Sequence, residues 1–300
     1  MKRLLATFVL ASLVAGCASS DVPMNPSFPL TIDEGWRQLH SMERSPRKLS
    51  RPVIVMGGYV DPGSAPEQTR RFIEACTGDK RTLAINTTFD FTFDAARRHL
   101  IEAIEKKFPS DDPNWTVEVD IVAHSMGGLI VRYAALDRSD PLSPAGGWER
   151  AGAGAESIAS SGTTVNTSET KRPSPPHRKR LRLAHLYSIS VPHRGTIVAD
   201  LPFFDTRQHA MRRGSRVLQL LDSQLDHLPY KIIPYVRLGD TMIGSENAAP
   251  WGYDAWWVQN YTVDSPHFNS SNDPRILADV LRRLRDETPY TTWPPTPMPK

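Results

Sequence analysis

Apolar positions along this chain fall into two alternating rhythms. Residues 52–56, Pro-Val-Ile-Val-Met, and residues 82–86, Thr-Leu-Ala-Ile-Asn, are short unbroken runs of the kind that form strands buried on both faces. Between such runs the spacing changes to three and four. Ala96, Leu100, Ile101, Ile104 and Phe108 mark one face of a helix over residues 95–108, which Pro109 ends. A helical stretch also covers 67–76. A strand over 116–123 then meets His124-Ser125-Met126-Gly127-Gly128, with a helix over 129–136 beyond it. Later come a strand over 181–190, a helical pattern over 207–228, a strand over 231–238 and a terminal helix over 274–285. Strand and helix in alternation call for a mostly parallel sheet flanked by helices, the α/β class.

Four stretches stand outside this rhythm. Residues 1–16 carry Lys2 and Arg3, an apolar run from Leu4 to Val14, then Ala15 and Gly16. A spanning helix needs ~20 apolar residues, so the run reads as an export signal. Residues 17–50 are rich in Pro and Ser, with a possible helical turn near Trp36, and read as a tether. Residues 51–287 form the folded domain, interrupted at 140–180 by Gly, Ala, Ser, Thr and Pro in quick succession, a long low-complexity insertion. Residues 288–300 hold five prolines and read as a frayed tail.

Val14-Ala15-Gly16-Cys17 resembles the lipobox of bacterial lipoproteins. The resemblance implies cleavage before Cys17, lipid on that cysteine, and attachment to the cell envelope. Ala18 in the next position implies the outer membrane of a Gram-negative bacterium. The other reading is an ordinary secretory signal with a cysteine at its edge.

Composition narrows the chemistry. The 300 residues are 39% hydrophobic and 23% charged, an ordinary globular balance. The net charge of +3 rests on Lys2, Arg3 and six basic residues between Lys171 and Arg182; without those eight the rest stands at −5. A nucleic-acid face needs basic residues spread over the folded surface, so no nucleic-acid partner is expected. The basic end of the insertion fits either anionic lipid or plain solvation. With Cys17 acylated, Cys76 is the one remaining thiol, and no intramolecular disulfide can form. There is no Cys pair and no His-Glu-x-x-His, so neither a metal nor a cofactor is expected.

The candidate chemistry centres on Ala123-His124-Ser125-Met126-Gly127 between a strand and a helix. A serine hydroxyl becomes a competent nucleophile when a tight turn presents it to a base, and small residues two before and two after it permit that turn. Such an elbow requires an acid and then a histidine further along the chain. Beyond Ser125 the histidines are 177, 185, 193, 209, 227 and 267, and His267 alone follows the strand that ends at Leu238-Gly239-Asp240. Asp240 sits where open α/β sheets place their sites, at a strand's carboxyl end. Asp254 and Asp264 compete with it. Ser125 is then the nucleophile, His267 the base and Asp240 the group that orients the imidazole. The oxyanion donors expected are the backbone N–H groups of Met126 and Gly58, with Tyr59 as substitute for the latter.

Residues 119–133, Val-Asp-Ile-Val-Ala-His-Ser-Met-Gly-Gly-Leu-Ile-Val-Arg-Tyr, resemble the elbow of bacterial lipases and lipase-like α/β-hydrolases. Val191-Pro192-His193-Arg194-Gly195 resembles the Thr-Pro-His-x-Gly segment of those lipases and of GPI inositol-deacylase-like hydrolases. Together the motifs span roughly residues 52–285. They imply the α/β-hydrolase fold and serine ester hydrolase activity on lipid-like carboxylic esters. Two departures are present: Met56-Gly57 replaces the family's His-Gly before the oxyanion loop, and Ala123 replaces the commoner first glycine of the elbow.

Other residues carry two readings each. His124 is either a packed elbow residue or a base, and His193 either braces a loop or meets substrate. Trp251, Tyr253, Trp256, Trp257 and Tyr261 either fill a core beneath a loop or line an acyl or membrane-facing surface. Phe203 and Phe204 are candidates for a lid edge. Beside hydrolysis stand two alternatives: an acyltransferase using the same triad, and a non-catalytic anchored binding protein on a hydrolase scaffold.

Overall fold

The structure, a computed structural model, describes residues 24–59, 61, 63–136, 179–200, 206–260 and 264–299. Cys17, the leader, residues 140–178 of the insertion, Phe203, Phe204 and Tyr261 lie outside these. Six strands form one parallel sheet: β1 (Val53–Met56), β2 (Thr82–Ile85), β3 (Val119–His124), β4 (Leu183–Ile189), β5 (Lys231–Arg237) and β6 (Trp256–Val258). Their order across the sheet is β2-β1-β3-β4-β5-β6. This is the expected α/β class, a parallel sheet flanked by helices.

Successive strand residues point to opposite faces, and both faces are buried. From β1, Ile54 and Met56 join one core with Ile121 and Ala123 of β3 and Leu186 of β4. The helices α3 (Phe93–Lys107), α4 (Met126–Ala135) and α6 (Arg216–Ser223) cover that face. Val53 and Val55 point the other way, toward α1 (Ile32–Arg44), α2 (Ser64–Thr77) and α8 (Pro274–Leu284). Each fully buried Leu or Ile in these layers contributes roughly 1.5–3 kcal/mol. Val122 and Ala123, neighbours in β3, fall into different cores, so the strand before Ser125 is clamped from both sides.

Three expectations are corrected. The segment 17–50 is not simply a tether: α1 lies within it, started by a reciprocal capping box in which Thr31 accepts from the Glu34 amide and Glu34 accepts from the Thr31 amide. Leu39 and Met42 bury the apolar face of this helix against α8. Arg285 fastens the arrangement, donating to Met42 O and Ser45 O at the end of α1 and to Cys76 O at the end of α2, where helix carbonyls lack partners. The described part of the tail is not frayed. Thr292 N–H donates to Ser27 O at 2.9 Å, Trp257 Nε1 donates to Thr296 O at 2.7 Å, and Thr291 N–H donates to the buried Asp279 carboxylate at 3.0 Å. Tyr235 Oη donates to the same carboxylate from β5 at 2.7 Å, so one acid ties tail, helix and sheet together. The pattern over 207–228 is not one helix. It breaks into α5 (Thr206–Ala210) and α6, because Gly214 takes φ +69° and Ser215 caps a new start by accepting from Leu218 N–H.

His193, in the loop after β4, is fully buried and braces the fold, the first of its two readings. Arg132 of α4 can only donate, so His193 Nδ1 accepts from Arg132 Nη1 at 3.1 Å and Nε2–H donates to Ser188 Oγ at 3.1 Å. The same guanidinium donates to Leu221 O of α6. Burial, reinforced by the charges of Arg132 and Arg194, holds the imidazole pKa well below its ordinary value. In acid the unfolded chain therefore binds a proton that the native state refuses. Stability from this group is full above the unfolded value near 6.5 and falls by about 1.4 kcal/mol per pH unit below it. Urea unfolding of wild type at pH 7 and pH 5 is expected to show this loss, and His193→Gln to remove about that slope. Equal slopes in the two proteins would refute the assignment.

Candidate active site

The elbow is built by close packing at the carboxyl end of β3. Ser125 adopts φ 53° and ψ −133°, a conformation that side-chain-bearing residues seldom take. Ser125 N–H donates to Ile189 O of β4 at 3.0 Å, which pins the turn to the neighbouring strand. A Cβ at position 127 would lie 2.4 Å from Gly57 O, so glycine is required there for the loop after β1 to pass. Ala123, two before the serine, is fully buried opposite Met56 and Ser188, where its methyl group fits as the commoner glycine would.

Asp240 and His267 come from the far side of the sheet and meet Ser125 at the same edge. Asp240 follows β5 by three residues, and His267 stands in the short helix α7 (Pro266–Asn269). His267 Nε2 is 3.0 Å from Ser125 Oγ and His267 Nδ1 is 2.9 Å from Asp240 Oδ2. All three residues are buried, at 7%, 4% and 2% exposure, so water competes little for these bonds. Asp240 Oδ1 also accepts from the amides of Met242 and Ile243. Burial opposes the charged form, but the hydrogen bond and charge of His267 and the Ile243 amide outweigh it and keep the carboxyl below its ordinary range. An ionised Asp240 accepts the Nδ1–H of His267 and leaves Nε2 free to receive the serine proton.

The competing acids are placed elsewhere. Asp254 is exposed in the loop before β6, and Asp264 binds Arg237 Nη2 at 2.9 Å and Asn269 Nδ2 at 2.9 Å. On the oxyanion side, Met126 opens α4, and first-turn amides have no carbonyl within their own helix. Gly58 lies directly against Ser125: a Cβ there would come within 2.9 Å of Ser125 Cβ and 3.4 Å of Ser125 Oγ. Of the two expected donor positions, Gly58 thus borders the hydroxyl and Met126 follows Ser125 at the start of α4.

Several rim residues escaped sequence reasoning. Arg207 donates to Thr87 O at 2.6 Å and stacks its guanidinium over the rings of Tyr59 and Phe91. Phe268 is 60% exposed with its ring 5.6 Å from that of His267, and Phe89 and Phe91 are exposed after β2. Arg207 and Thr87 are 120 positions apart, so no local pattern announces the pairing. Of the aromatic cluster, Trp256 and Trp257 are buried in strand β6, whereas Trp251 is 60% exposed beneath the Arg194 guanidinium. Among the described residues no helix is long and apolar enough to cross a membrane.

No sequence family and no curated protein matches the chain. Among solved structures it is similar to the mature lipase BlEst2 of Bacillus licheniformis, with 13% identity and a TM-score of 0.45 over 80% of this chain and 94% of that one. It is also similar to phospholipase PlaB of Legionella pneumophila, with 10% identity and a TM-score of 0.46 over 78% of this chain. The match spans 58% of the phospholipase's length.

Proposed function

We propose that this protein is a serine hydrolase that cleaves carboxylic esters of lipid-like substrates through an acyl-enzyme. The observation that carries the reading is the unbroken hydrogen-bond line from Ser125 Oγ through His267 to Asp240. His267 Nε2 takes the hydroxyl proton as Ser125 Oγ attacks the ester carbonyl carbon. The carbonyl oxygen becomes an oxyanion facing the amides of Met126 and Gly58, each such donor supplying roughly 3 kcal/mol of transition-state stabilisation. As the tetrahedral species collapses, the C–O bond to the alcohol breaks and His267 returns its proton to that oxygen. Water then repeats the sequence on the acyl-serine and releases the acid. The exposed rings of Phe89, Phe91 and Phe268 favour an apolar acyl or alcohol group over a highly charged one.

An anchored location accompanies this reading. The lipobox-like run before Cys17 supports a mature protein held at the cell envelope by lipid on that cysteine, on the outer membrane of a Gram-negative host. A lipid anchor would hold the site at a surface where its substrates concentrate.

A fluorophosphonate probe is expected to label wild type at Ser125 and to leave Ser125→Ala unlabelled. The same substitution should abolish turnover of 4-nitrophenyl esters; labelling elsewhere, or none, would favour the binding-protein reading. Asp240→Asn is expected to lower kcat by about 10⁴-fold with the fold intact, because an amide no longer selects the productive imidazole tautomer. Cys17→Ser is expected to move the protein from the membrane to the soluble fraction, and unchanged fractionation would defeat the anchor.

A further inference from the structure

His124, the residue before the nucleophile, makes a contact that the three-residue relay does not use. Its Nε2 is 2.8 Å from the main-chain oxygen of His267. A carbonyl can only accept, so Nε2 carries the proton and donates. The two imidazoles lie 4.9 Å apart between centroids, tilted by 46°. His124 is 8% exposed and belongs to β3, which is clamped by both cores. His267, in contrast, stands on a helix of four residues whose own hydrogen bonding is slight. Ser270 donates to the same carbonyl from Oγ and from its backbone N–H, but it belongs to the segment immediately following α7 and not to the strand that carries Ser125.

We infer that His124 is a positioning residue for the base: its Nε2–H to His267 O hydrogen bond ties the short helix that carries the base to the strand that carries the nucleophile. This rests on the hydrolase reading given above. Because His124 and Ser125 are consecutive, a single residue and one hydrogen bond connect the backbone of the nucleophile to that of the base. The imidazole of His267 has rotational freedom about its side chain, and its bonds to Asp240 and Ser125 fix the ring only once its Cα is correctly placed. The tether at the carbonyl supplies that placement. Burial, with the nearby His267 adding to it, pushes the His124 pKa down to about 3, so the ring stays neutral and its Nδ1 stays bare beside Gly58.

The conservative pair His124→Gln and His124→Asn separates this role from simple packing. A glutamine amide nitrogen reaches the Nε2 position, whereas that of asparagine reaches the Nδ1 position and falls short of His267 O. In ester turnover, His124→Asn is expected to lower kcat by about 10–100-fold with KM within about twofold, the loss typical of a reacting group displaced by about 1 Å. His124→Gln should restore kcat to within about threefold of wild type. Independently of turnover, the low-field proton resonance of His267 Nδ1–H against Asp240 should be sharp in wild type and Gln and broadened in Asn. Near-UV circular dichroism checks folding, and if the Asn variant does not fold, kcat and the resonance of the Gln variant decide. Wild-type kcat and an intact resonance in folded Asn, or a Gln variant impaired as severely as Asn, would overturn the assignment. If wild type neither labels nor turns over esters, the hydrolase reading fails while the resonance still reads the tie between His124 and His267.

Discussion

Everything at this site depends on holding one residue in a conformation it would not choose. Ser125 sits at positive φ at the end of β3, and an isolated turn would relax from it at a gain of order 1–3 kcal/mol. The fold prevents this by surrounding the turn with rigid partners. Ile189 O accepts its amide, Gly57 O packs against Gly127 where a Cβ would clash, and the buried methyl of Ala123 fills the strand behind it. The strain is thus sustained by packing that extends across the sheet.

The same packing explains why the partners arrive together. A parallel sheet delivers every strand's carboxyl end to one edge, so loops after β3, β5 and β6 are neighbours although Ser125 and His267 are 142 residues apart. Helices on both faces bury the strands and exclude water from beneath that edge, where Asp240 and His267 exchange a charge-assisted hydrogen bond. The polar ties Arg132–His193 and Asp279–Tyr235 do for the helices and tail what the elbow contacts do for the loop. Each tie is backed by further hydrogen bonds of the same groups, from Arg132 to Leu221 O and from Thr291 N–H to Asp279, which is what makes burying it tolerable.

Much of this was legible in the chain. The apolar runs at 52–56 and 82–86 became β1 and β2, and the spacing at Ala96, Leu100 and Ile104 became the buried face of α3. Asp240 stands at a strand end, and the structure puts it, rather than Asp254 or Asp264, against His267. Helix α1 was hidden because Pro and Ser around it suggested a tether, although the Thr31-x-x-Glu34 capping box was there to be read. The order of the tail is hidden in the sequence for a related reason. Prolines in isolation mark irregular chain, but irregular chain packs well when its amides meet fixed acceptors such as Asp279 and Ser27 O.

What the sequence determined by itself was local. Burial of short apolar strands, the change from period two to period three or four, and the small residues around Ser125 are properties of neighbouring side chains, and they fix the α/β class and the elbow without reference to anything distant. The tertiary structure decided what depends on convergence. Arg207 stacks on Tyr59, Arg285 caps two helices at once, and His124 reaches the carbonyl of His267, all across more than a hundred residues. A hydrogen bond acts over about 3 Å and leaves no periodic trace in the chain, so such partners become visible only once the sheet has brought them within reach.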